Sequence, residues 1–211
     1  LLRHRSQFRS TMGIPDDDSL RTVLAGTVEV LGLQYLGHDD DAQHAAAGLL
    51  GAAHQVGAPS TIAMCEYCTA EVVIAHPDRA REHLWRSLEL ARSVGADFVY
   101  GLAITTLAGL DARGDHPADA FGRLHDAIEH WERSGLGKQQ WWLTLRMLIE
   151  ALGATGEHSY EAALLASAFR TSDTTAPVYG TDAARLDAAV DAARSRLAAD
   201  EFAAATARGA T

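Results

Sequence analysis

The chain has 211 residues, 40 of them Ala and 18 Gly, and its 28 acidic side chains outweigh 18 basic ones for a formal charge of −10. Only one basic residue is Lys, and the 47% apolar fraction is mostly Ala and Leu, which biases the chain toward closely packed helices over strands. A net-acidic surface repels phosphate and argues against direct contact with nucleic acid, and no apolar run approaches the roughly 18 residues of a membrane span.

In chain order, Leu1 to Asp18 carries Arg3, Arg5 and Arg9 and then Asp16, Asp17 and Asp18 with no apolar stretch between, so it is not a signal peptide. Residues 1–18 read as a linker from an upstream region of a longer chain. Helical periodicity then predicts elements at roughly 19–36, 42–56, 60–75, 78–94, 97–113, 118–134, 138–153, 160–171 and 181–208, the last breaking near Asp200. Ala80, Leu84, Leu88 and Ala91 form one such stripe, and Trp142, Leu145, Ile149 and Leu152 another. Gly95, Gly114, Gly135 and Gly153 mark helix ends, where positive φ is wanted.

A Gly- or Pro-marked turn carrying a His recurs at Gly37-His38, His76-Pro77, Gly114-Asp115-His116-Pro117 and Gly156-Glu157-His158, so these His residues stand 38, 40 and 42 apart. The unit reads as helix, turn, helix, and such units bury their faces only by stacking. The organisation expected is helical repeats over 19–171, followed over 172–211 by a loop and an Ala-rich capping helix. Half of all the Ala lies after residue 150.

The repeat resembles a degenerate tetratricopeptide unit. Ala80, Ala120 and Ala162 match the small residue that opens its second helix, with Leu84 and Leu124 four positions on. Cys68 and Ala108 match the small residue of its first helix. Ala166 and Glu150 depart from the pattern, and the usual aromatic residues are missing. The expected fold is therefore all-α, a tetratricopeptide-like right-handed superhelix of antiparallel helix pairs with a C-terminal helical cap.

A second resemblance covers about residues 60–209. HPDRAREHLWRSLELARSVGADFVYGLA, EHWERSGLGKQQWWLTLRMLIEALGATGE, EAALLASAF, APVYGTDAARL and RLAADEFAAATARGA look like the C-terminal helical-repeat region of large actinobacterial transcriptional regulators with an upstream ATPase module. Those proteins often carry a DNA-binding or nucleotide-cyclase domain. No phosphate-binding loop occurs here, Lys138 standing without its motif, so the resemblance implies that ATP is bound outside this chain.

Cys65 and Cys68, three apart, have redox or metal spacing, with His76 eight residues on. A second ligand pair is missing, and both fall where a helix wants small apolar residues, so core packing is the competing reading. So few cysteines fit a reducing cytoplasm. The turn His residues belong to successive units too far apart to share a metal and read as solvated. Neither paired acids in one pocket nor a nucleophile motif is visible, which points to a non-catalytic chain.

The remaining cluster is Gln139-Gln140-Trp141-Trp142 with Arg146. With Trp142 in the buried stripe, Trp141 and Arg146 are expected on the concave face beside Gln140 and near Tyr100, offering stacking and planar hydrogen bonding. Core packing of Trp141 is the competing reading. The function expected is a sensor or scaffold arm of an ATP-dependent regulator that binds a protein or small-molecule effector through Tyr100, Gln140, Trp141 and Arg146. A free-standing adaptor for protein–protein interaction, or a small metal protein using Cys65 and Cys68, are the alternatives.

Overall fold

A computed structural model describes residues 18–114, 117–135, 138–172, 178 and 180–211. Among the described residues there are ten α-helices, a short 3-10 turn and no strand. The helices are α1 (Asp18–Tyr35), α2 (Asp39–Val56), α3 (Pro59–Val72), α4 (Pro77–Val94), α5 (Asp97–Ala112), α6 (Ala120–Ser134), α7 (Lys138–Thr155), α8 (Ser159–Thr171), α9 (Gly180–Arg196) and α10 (Ala199–Gly209). The chain is all-α. Residues 1–17 of the expected linker, Asp115 and His116 of the third turn, and 173–177 and 179 of the expected loop lie outside the described residues.

Local chemistry accounts for the boundaries. Pro59 and Pro77 open α3 and α4, where a missing N–H costs nothing. His38, His76 and His158 occupy the N-cap positions of α2, α4 and α8, are exposed, and form no side-chain capping bond. Acids in the first turns, Asp39, Asp78 and Glu161, supply the negative charge that a helix N-terminus favours. Gly95 and Gly135 close α4 and α6 with φ of 67° and 65°. Gly114 follows α5 without a left-handed φ, and Gly153 is not at a helix end. It lies inside α7, where an added Cβ would stand 2.9 Å from Ala189 Cβ, so its role is close helix approach.

The last predicted helix is two. Ala198 is extended at ψ 153°, and its N–H donates to Glu201 Oε2 at 3.1 Å, which starts α10 afresh.

Each helix from α1 to α5 packs on the next, and so do α5 to α9 in turn. In addition α1 packs on α3, α3 on α5, α5 on α7 and α7 on α9, so the odd-numbered helices form a continuous row. Polar contacts set its register. Gln34 donates to the Glu71 carbonyl (2.8 Å), Thr106 to Glu71 Oε1 (2.7 Å), and Arg113 to Glu150 (3.2 Å), joining residues 35 to 37 apart. Neighbours in the row therefore run parallel, one repeat out of step. Ser167 Oγ donates to the Thr206 carbonyl at 2.7 Å across 39 residues and relates α8 to α10 in the same way. At the C-terminal end α10 packs on α8 and only marginally on α9, and the small residues there serve close approach: an added Cβ on Gly209 would collide with the Leu164 carbonyl.

The repeat positions read from sequence are core positions. Cys68, Ala80, Leu84, Ala108, Ala120, Leu124 and Ala162 are all at most 1% exposed. At the centre is α5, buried continuously from Gly101 to Ala112, its buried Asp111 paired with Arg81 and Arg123. Trp131 of α6 lies against Gly101, where a Cβ would collide with its ring, and its indole N–H donates to Thr144 (3.1 Å) and Thr105 (3.3 Å).

Candidate functional site

Between the odd-numbered helices lies a cavity of about 360 Å³. Its walls are Leu31 and Tyr35 of α1, Met64 and Tyr67 of α3, Phe98 and Leu102 of α5, Gln140, Trp142, Leu143 and Arg146 of α7, Phe169 of α8, Val178, and Asp182 of α9. Aromatic contacts order one wall: the Trp142 ring meets Phe169 edge-on at 5.9 Å and Trp141 edge-on at 6.0 Å.

At its polar end the cavity adjoins a second space of about 60 Å³, with Tyr35, Arg146 and Asp182 common to both. Charged groups from α3, α5, α7 and α9 converge there. Glu150 of α7 is the hub, its carboxylate meeting Arg113 and Arg146 at 3.2 Å each and Arg185 Nε at 3.8 Å. Arg146 reaches on to Asp182 at 2.9 Å, and Asp182 also pairs with Arg185. The Arg146 and Glu150 side chains are 5% and 4% exposed, so this is a buried ion network, in which each charge depends on its partners.

Burial shifts Glu71, Arg113 and Tyr67 as well as Tyr35 here. The Glu71 carboxyl is raised above the usual carboxylate range, first by loss of hydration and partly by the charge of Asp182. Burial likewise lowers the Arg113 guanidinium, and it pushes the Tyr67 phenol well up, with Glu71 adding to the effect.

The four residues singled out from sequence do not come together. Gln140 and Arg146 line the cavity. Trp141 does not: it is half-buried and packs against two hydrophobic clusters, one spanning α1 to α6 and one spanning α7 to α9. Trp142, assigned from sequence to the buried stripe, packs on the second of these clusters and also forms part of the cavity wall. Helical geometry explains why Trp142 and not Trp141 shares the cavity with Arg146, because residues four apart share a face whereas residues five apart diverge by about 140°. Tyr100 is corrected in the same way, since it lies two residues from both Phe98 and Leu102. It borders a separate notch of about 280 Å³ with Arg92, Asp97, His130 and Arg133, its ring 5.0 Å from that of His130.

Sequence reasoning missed Glu71, Arg113, Asp182 and Arg185. One signal was present: Glu150 stands where the repeat wants a small residue, and that misfit is the hub of the network. Cys65 and Cys68 are free and buried, with thiols pushed up by burial, Cys65 to about 12 and Cys68 further. Among the described residues no group of three or more His, Cys, Asp or Glu is arranged to hold a metal ion, and no helix is long and apolar enough to cross a membrane.

Comparison with models of known protein families, with curated proteins and with solved structures finds no match to this chain.

Proposed function

We propose that this chain is a non-catalytic, ligand-binding sensor arm, built as a tetratricopeptide-like right-handed superhelix whose odd-numbered helices line the concave face. The observation that carries this reading is the cavity of about 360 Å³, within the range of small-molecule sites, apolar and aromatic over most of its wall with convergent polar groups at one end. Five odd-numbered helices contribute to it, so a ligand seated there contacts most of the array and favours one curvature over another. An upstream ATPase module would read that change, in line with the resemblance of residues 60–209 to regulators of that architecture. Such a role places the chain in the cytoplasm.

The experiment is ligand-observed NMR with a fragment library spanning acids, bases and neutral aromatics, repeated on two variants. Binding lost in Trp142→Ala and kept in Tyr100→Ala supports the cavity. The opposite pattern moves the site to the notch beside His130. Extending the gene upstream of Leu1 tests the regulator assignment, which an ATPase module there supports.

A further inference from the structure

The polar end of the cavity has an unusual construction. Arg146 is almost wholly buried, yet only one of its two carboxylate partners is built into the same helix: Glu150 stands one turn away on α7. The other, Asp182, comes from the first turn of α9, is 29% exposed, and lies where the two cavities meet. Asp182 has a second cation of its own, Arg185, three residues on. Removing Asp182 from Arg146 therefore strands neither Asp182 nor, if another carboxylate takes its place, Arg146.

Resting on the reading of this cavity as a ligand site, we propose that its ligand is a small organic monocarboxylate with an aromatic or branched apolar body, and that its carboxylate displaces Asp182 from Arg146. The apolar body occupies the space beside Trp142, Phe98 and Phe169. The exchange conserves ion pairs: the ligand carboxylate accepts from Arg146 Nη2, and Asp182 keeps Arg185. Two observations at the site favour an anion over a cation. Three guanidiniums, Arg113, Arg146 and Arg185, share two carboxylates as ion-pair partners, Glu150 and Asp182, while Glu71 accepts from Thr106. In addition Arg185 Nε is a buried donor with no hydrogen-bond acceptor, 3.8 Å from Glu150, so the pairing of the guanidiniums is incomplete before a ligand enters. An ammonium group placed there would meet Arg146 and Arg185 at close range. The exchange also releases the first turn of α9 from Arg146 of α7, which links occupancy to the position of α9.

The test uses the full chain and three probes with one body, 3-phenylpropanoate, 3-phenylpropanamide and 3-phenylpropylamine, titrated at millimolar concentration by calorimetry and ligand-observed NMR. The acid is expected to bind about tenfold or more tightly than the amide, the margin a charge-assisted hydrogen bond supplies, and the amine weakest. Asp182→Asn, which removes the internal competitor and leaves Arg146 in place, is expected to tighten the acid several-fold while leaving the amide unchanged. A purely structural Asp182 predicts weaker or equal binding. Equal affinity of acid and amide, preference for the amine, or weakened or unchanged acid binding in Asp182→Asn overturns the proposal while leaving the cavity as a binding site. Failure of all three probes to bind overturns the cavity reading itself.

Discussion

Arg146 of α7 and Asp182 of α9 meet at 2.9 Å although 36 residues separate them, and this contact ties α9 to its neighbour in the row of odd-numbered helices. Behind it stands Glu150, which holds Arg113 and Arg146 at 3.2 Å each. Buried ion networks add little net stability when whole, but lose much when one member goes, because the partners' charges are left without compensation.

Glu150→Ala is accordingly expected to lower the unfolding free energy by about 3–5 kcal/mol, even though Ala is the residue type that the repeat wants at this position. Adding Arg146→Leu should recover most of that loss. Arg113 and Arg185 are 23% and 29% exposed and can turn to water, leaving no buried guanidinium unpaired. Urea unfolding of the single and double variants decides the matter, and a double variant no more stable than Glu150→Ala counts against the network.

Gly101 is expected to be intolerant of even one methyl group. An added Cβ there meets the Trp131 ring, so Gly101→Ala should destabilise by about 1–3 kcal/mol through overpacking. Combining it with Trp131→Leu, which vacates that space, should produce less than the sum of the two single effects. Chemical denaturation of the cycle measures the coupling.

Trp141→Ala is expected to lower stability by about 2 kcal/mol, since its ring is half-buried between two hydrophobic clusters. Ligand binding in that variant should persist wherever the fold does. A thermal midpoint equal to that of the parent chain would return Trp141 to the list of exposed contact residues.

The cysteines predict an alkaline limit to stability. Burial raises the Cys65 thiol from its ordinary value of 9.0 to about 12 and the Cys68 thiol beyond that, so the native state holds protons that the unfolded chain releases. A group whose folded pKa is raised contributes its full stability below the unfolded pKa and loses it as pH rises toward the folded one. Above pH 9 the loss should approach about 1.4 kcal/mol per thiol for each pH unit. The double variant Cys65→Ala, Cys68→Ala removes this component, so the difference in its thermal midpoint from the parent should narrow or reverse between pH 8 and pH 10. For the same reason neither thiol should react with iodoacetamide at neutral pH until the chain unfolds, as peptide mass analysis would show.

The sequence by itself determined the elements. Apolar spacing placed the helices to within a few residues, and the small residues at Cys68, Ala80, Ala108, Ala120 and Ala162 identified the core positions, because helices packed this closely admit little else. Composition and local turn chemistry suffice for such features, since each depends on residues within one or two turns of one another. Only the tertiary structure decided the site. Which of Trp141 and Trp142 faces the cavity depends on helix phase relative to neighbours 35 or more residues away, and so does the removal of Tyr100 to a separate notch. The network of Glu71, Arg113, Arg146, Glu150, Asp182 and Arg185 draws on four helices, and no short pattern records that those charges converge. One trace did reach the sequence, the acid at position 150 where a small residue belongs, because a charge is kept at a buried position only when the fold supplies its partners.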